Sequence, residues 1–122
     1  MTLKVLAVDD SRTIRSLIGH TLRSAGIEVT VAEDGLDGLQ KLGESVPDVI
    51  ITDLNMPNMD GFEFVGAVRG ESDWHGLPIL ILTTESAEEL KEKARNMGAT
   101  GWIVKPFEDD KLIAAVRRVA AA

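Results

Sequence analysis

At 122 residues the chain is sized for a single domain, one that buries roughly two-thirds of the surface its unfolded form exposes. Its 20 Asp and Glu against 13 Lys and Arg give a net charge of −7, which argues against nucleic-acid backbones and anionic membranes as partners. There is no cysteine for a disulfide, a thiolate metal site or a thiol nucleophile, and no apolar run approaches the ~20 residues of a membrane span.

Met1 to Lys4 lead directly into Val5-Leu6-Ala7-Val8, an apolar run that reads as a buried strand, so no signal peptide is expected and the protein is placed in the cytoplasm. Arg12 to Ala25 sets Ile14, Leu17, Ile18 and Leu22 on one helix face, with Gly26 where a C′ glycine would stand. Ile27 to Ala32 alternates apolar with polar, as a more exposed second strand should. Gly35 to Leu42 repeats leucine at 36, 39 and 42, a short helix weakened by Gly38. Val49-Ile50-Ile51-Thr52 is the third strand, and Phe62, Val65 and Val68 face inward from the helix after it. Ile79 to Leu82 is the fourth strand, followed by a helix with Leu90, Ala94 and Met97 inward and Gly98 at its end. Trp102-Ile103-Val104 is the fifth, and Leu112, Ile113, Val116 and Val119 mark the last helix.

Strands alternating with helices predict a doubly wound α/β sandwich around a parallel five-stranded sheet, with right-handed crossovers. Asp9-Asp10, Asp53, Thr83 and Lys105 each stand directly after an apolar run. Parallel strands would bring all five residues to one edge, where open α/β sheets bind ligands. An acidic Asp9-Asp10-Ser11 turn after the first strand excludes a glycine-rich pyrophosphate loop, so the flavodoxin-like order 2-1-3-4-5 is expected rather than the Rossmann order. That order seats Asp9, Asp10 and Asp53 around one crevice.

An Asp-Asp pair before a helix ordinarily caps it, a lone Thr at a strand end ordinarily packs, and a lone Lys is ordinarily solvated. Four such positions on one edge point instead to chemistry. Three carboxylates suit Mg²⁺, which takes hard oxygen ligands. Asp53 can serve as a nucleophile, while Lys105 and Thr83 would stabilise charge on an incoming phosphoryl group.

These motifs resemble those of response-regulator receiver domains, and within that family the single-domain, CheY-like chemotaxis regulators. The matching segments are Val8-Asp9-Asp10-Ser11, Thr52-Asp53-Leu54-Asn55-Met56-Pro57, Met59-Asp60-Gly61, Leu82-Thr83-Thr84 and Lys105-Pro106-Phe107. The resemblance covers essentially the whole chain and implies one receiver domain over 1–122 with no output domain. It makes Asp53 the phosphoacceptor and gives Mg²⁺ to Asp9, Asp10, Asp53 and the backbone carbonyl of Asn55. It also makes Thr83 the switch hydroxyl, Lys105 the phosphate-contacting ammonium and the bond before Pro106 cis. Trp102 stands where the family usually has Tyr or Phe, and Thr84 is β-branched where Ala or Gly is common. Thr84, Asn55 and Glu85 would tune the lifetime of the phosphoryl group.

The implied function is that of a monomeric signalling protein without a turnover substrate. It would accept phosphoryl from a chemotaxis-type histidine kinase, and the surface of helix 4, strand 5 and helix 5 would then act on a partner. That partner would be a flagellar motor switch protein or a phosphatase; alternatively the chain would serve as a phosphate sink. An aspartate-nucleophile phosphatase or mutase is the alternative class. Such enzymes want an acid two residues after the nucleophile, where this chain has Asn55. Arg12 and Arg15 read as solvated surface.

Overall fold

The computed structural model describes residues 2–121. Five strands, β1 (Lys4–Val8), β2 (Glu28–Ala32), β3 (Val49–Thr52), β4 (Ile79–Thr83) and β5 (Gly101–Val104), alternate with five helices. These are α1 (Arg12–Ser24), α2 (Gly35–Glu44), α3 (Gly61–Gly70), α4 (Glu88–Asn96) and α5 (Asp109–Ala121). The sheet is parallel throughout and runs β2-β1-β3-β4-β5, the order expected from the sequence.

The central strands are apolar on both faces because helices cover both. Leu6, Val8, Ile50, Ile79 and Ile81 point to one side, where they meet Leu42 of α2, Phe64, Val65 and Val68 of α3, and Ala94 of α4. Val5, Ala7, Val49, Ile51, Leu80 and Leu82 point to the other, against Ile18 and Leu22 of α1 and Leu112 and Val116 of α5. Period-two alternation along each strand thus feeds two separate cores.

Three helical faces differ from the sequence reading. Leu17 of α1 is exposed, because the buried stripe runs through Ile18, Gly19, Thr21 and Leu22 instead. Leu36, at the start of α2, is also exposed. In α3 Phe62 does pack against the core, half-buried with the Lys93 ammonium 4.2 Å from its ring centre, but the wholly buried aromatic is Phe64, which the expected face omitted. Gly38 then has a packing reason. A Cβ there would lie 2.9 Å from the Phe64 ring and 3.1 Å from Val8, so glycine lets α2 close over both.

Gly26 and Gly98 take positive φ after α1 and α4, as helix-ending glycines do. At the β2 edge of the sheet, Glu28 N–H and Ala32 C=O bond toward β1, so Val29 and Val31 turn their backbone groups outward. The Arg23 guanidinium donates to Val29 O at 3.0 Å.

Candidate functional site

Register builds the site. Val8 lies level with both Ala32 and Thr52, so Asp9 and Asp53 leave the sheet side by side; Thr83 lies level with Val104, so Lys105 follows it. Asp9 is 1 % and Asp53 8 % exposed, burial that would be costly for two carboxylates without partners. Lys105 Nζ supplies the partner, donating to Asp9 Oδ2 at 2.7 Å and to Asp53 Oδ2 at 2.9 Å. The other oxygens are met by backbone: Ser11 N–H donates to Asp9 Oδ1 at 2.9 Å and Leu54 N–H to Asp53 Oδ1 at 2.7 Å.

Burial holds the Asp9 carboxyl above its ordinary range, outweighing its bonds to Lys105 and Ser11. Burial also works to discharge Lys105, but the two carboxylates prevail and its pKa is raised. The site therefore keeps a charged ammonium while straining to keep Asp9 ionised. Asp10 is exposed at the mouth, and carboxylate oxygens of Asp9, Asp10 and Asp53 all lie within 4.8 Å of one another. This all-oxygen acidic set fits a hard divalent cation such as Mg²⁺. Neither acid of the pair has to cap α1, because Ser11 does so through its hydroxyl, which accepts from Ile14 N–H at 3.3 Å.

Arg15 corrects the solvated-surface reading. Its guanidinium donates to the Asp9 backbone carbonyl at 2.7 Å, fixing the turn that presents both acids. No sequence signal separates Arg15 from Arg12, which is exposed.

Glu85 links the remaining site residues. Its N–H donates to the hydroxyl of the wholly buried Thr83 at 3.3 Å, and its carbonyl accepts from Trp102 Nε1 at 3.1 Å. Its carboxylate accepts from Asn55 Nδ2 at 3.4 Å. Trp102 is half-buried and packs against the α2–α3–α4 core. Thr84 is exposed beside them. The Lys105–Pro106 bond is cis, as expected.

The segment from Asp53 to Gly61 is closely held. Leu54 and Met56 are buried, and Gly61 N–H donates to Leu54 O at 2.8 Å. A Cβ on Gly61 would run into the Asp53 carbonyl and lie 2.7 Å from Leu54 Cα, so only glycine allows α3 to start against the end of β3. Asp60 and Glu63 form a capping box: Glu63 N–H donates to Asp60 Oδ1 at 2.8 Å and Asp60 N–H to Glu63 Oε1 at 3.1 Å. The sequence reading missed Asp34, which caps α2 by accepting from Asp37 N–H and also accepts from Asn58 Nδ2 at 2.8 Å. The Asp34-Gly35 pair opening a helix is the signal that could have flagged it.

Residues 5–117 match the family model described as "Response regulator receiver domain". The chain is 32% identical over 115 residues to protein PilG of Pseudomonas aeruginosa, covering 94% of this chain and 85% of PilG. It is 36% identical over 116 residues to the sensor histidine kinase CheAY of Helicobacter pylori, covering 93% of this chain but 14% of that protein. Among solved structures, the chemotaxis protein CheY4 of Vibrio cholerae superposes with a TM-score of 0.93 at 51% identity, covering 98% of this chain and 99% of CheY4.

Proposed function

The chain belongs to the response regulator receiver family, and from that premise we propose that it is a cytoplasmic chemotaxis switch whose phosphoacceptor is Asp53. The observation that carries this reading is the Lys105 ammonium bridging buried Asp9 and Asp53 beside exposed Asp10.

An Asp53 carboxylate oxygen attacks the phosphorus of a kinase phosphohistidine. A P–O bond forms as the P–N bond breaks, and the electron pair returns to the imidazole nitrogen. Asp9, Asp10, Asp53 and the Asn55 carbonyl would hold Mg²⁺, which when bound neutralises charge on the phosphoryl oxygens. Lys105, already in place on Asp53, contacts the same phosphoryl group as a compact point charge. Leu54 N–H and the bracketed loop keep the nucleophile oriented.

The Thr83 hydroxyl, drawn to a phosphoryl oxygen as donor, releases the Glu85 N–H it now accepts from. Glu85 also holds the Trp102 indole, so the change reaches β5 and the α4–β5–α5 surface. The indole is thus already tied inward at rest, and the switch acts on its tether as well as its position. A motor switch protein or a phosphatase would read that surface. Thr84, Asn55 and Glu85 stand at the mouth and set water access to the acyl phosphate.

The deciding experiment is labelled phosphoryl transfer from a chemotaxis-type kinase to wild type and to Asp53→Asn. Label should appear on wild type only, and equal label on Asp53→Asn would refute the assignment. In wild type, a beryllofluoride phosphoryl mimic should shift Trp102 emission. In Thr83→Ala that shift should vanish, with Trp74→Phe removing the second indole in both backgrounds.

A further inference from the structure

Asn58 has a φ of +67°, the sole positive φ at a non-glycine among the described residues. Met59 N–H donates to Pro57 O at 2.7 Å across it, closing a three-residue γ-turn of the rare positive-φ kind. Such a turn persists only when its surroundings over-determine it.

Two contacts from the start of α2 do so. Asp34, 7 % exposed, uses one carboxylate oxygen to cap its own helix and the other to accept from Asn58 Nδ2 at 2.8 Å. Met59 lies flat over Gly35, where a Cβ would stand 2.6 Å from Met59 Cγ. The turn lies at the far end of the short loop that carries Asn55, and the near end is tied by Gly61 N–H on Leu54 O.

We infer that Asp34 is a positioning residue for divalent-cation binding: through Asn58 it locks the γ-turn that fixes the Asn55 backbone carbonyl beside Asp53. The inference rests on the proposed metal site, and it assigns part of the cation affinity to a carboxylate on another loop that does not itself touch the ion. Groups bonded directly to a metal ligand contribute about 10- to 100-fold to metal affinity, and Asp34 acts one step further out, so the lower end of that range is expected.

The test separates this role from simple helix capping. Ser caps as well as Asp but is too short to reach Asn58, so Asp34→Ser keeps α2 capped and deletes only the clip. Gly accepts φ +67° without strain, so Asn58→Gly still permits the turn but deletes the bond that holds it there. Mg²⁺ titration by calorimetry should show each variant weakened about tenfold, the double variant no weaker than either single one, and melting temperatures within a few degrees of wild type. Exchange of the Met59 amide should quicken in both. Unchanged Mg²⁺ affinity in both single variants overturns the clip, as does a loss that only follows a fall in melting temperature. No Mg²⁺ binding by wild type would instead overturn the metal site itself, and Asp10→Ala, expected to bind weakly with the clip intact, tells the two failures apart.

Discussion

The loops on either side of the acidic edge are fastened differently. Residues 53 to 61 are held by buried Leu54 and Met56, the Asp34–Asn58 bond and the Gly61 approach. They lead into α3, which is capped by a reciprocal box and buries Gly61, Phe64, Val65 and Val68. Residues 84 to 87 have exposed Thr84, Ser86 and Ala87, and lead into α4, whose cap position is Ala87 with no side-chain bond and whose one buried residue is Ala94. The Asp53 side is thus held along its length, whereas on the Thr83 side only half-buried Glu85 is tied, to Thr83, Trp102 and Asn55, and the start of α4 is left loose. Moving parts are drawn from the less stable end of a fold.

Substitutions can break or sharpen this contrast. Phe64→Ala removes the largest buried side chain of the stiff half and should cost about 3–5 kcal/mol, read as a lower urea midpoint. Gly61→Ala forces α3 off the acceptor strand; about 1–3 kcal/mol should be lost, along with most phosphoryl transfer, because Asp53 moves with Leu54. Equal transfer by Gly61→Ala would mean that the acceptor tolerates displacement. Ala87→Ser supplies the cap that α4 lacks and should gain about 1 kcal/mol while shrinking the Trp102 emission change on beryllofluoride. A stabilised α4 with an undiminished emission change would uncouple looseness from switching.

The smallest effect concerns pH. Backbone N–H of Asp37, then the Asn58 amide, hold the Asp34 carboxyl below its ordinary range. Its folded pKa therefore lies below the unfolded one, so the stability it contributes is present above the unfolded value and fades as pH falls through the folded value. Any excess in melting temperature of wild type over Asp34→Ser at pH 7 should narrow on acidification.

Sequence periodicity carried the strands and the convergent edge, because buried parallel strands leave uninterrupted apolar runs and the edge residues follow them, while the acidic turn after β1 carried the strand order. It misjudged Leu17 and Leu36 and passed over Phe64, since a leucine or phenylalanine at helical spacing fits either of two adjacent faces until a neighbour's volume decides. Gly38 looked like a weakness for the same reason, as only the positions of Phe64 and Val8 explain it. Asp9, Asp53 and Lys105 meet where their places after β1, β3 and β5 led one to expect, with Asp10 at the mouth and Thr83 ending β4, whereas the sequence reading singled out neither Arg15 nor Asp34. Both act through bonds to backbone or to another loop, Asp9 O and Asn58, that leave no local pattern.

The guanidinium of Arg23 on the outward carbonyl of Val29 bears on how the molecule behaves in a crowd of its own kind. A half-exposed valine-bearing strand at the rim of a parallel sheet is a template onto which another chain could add a sixth strand and begin an aggregate. One acceptor of that template is already taken by a charged side chain, so an incoming strand must displace Arg23 or leave a gap in its ladder. The β2 rim thereby resists lasting addition of another strand.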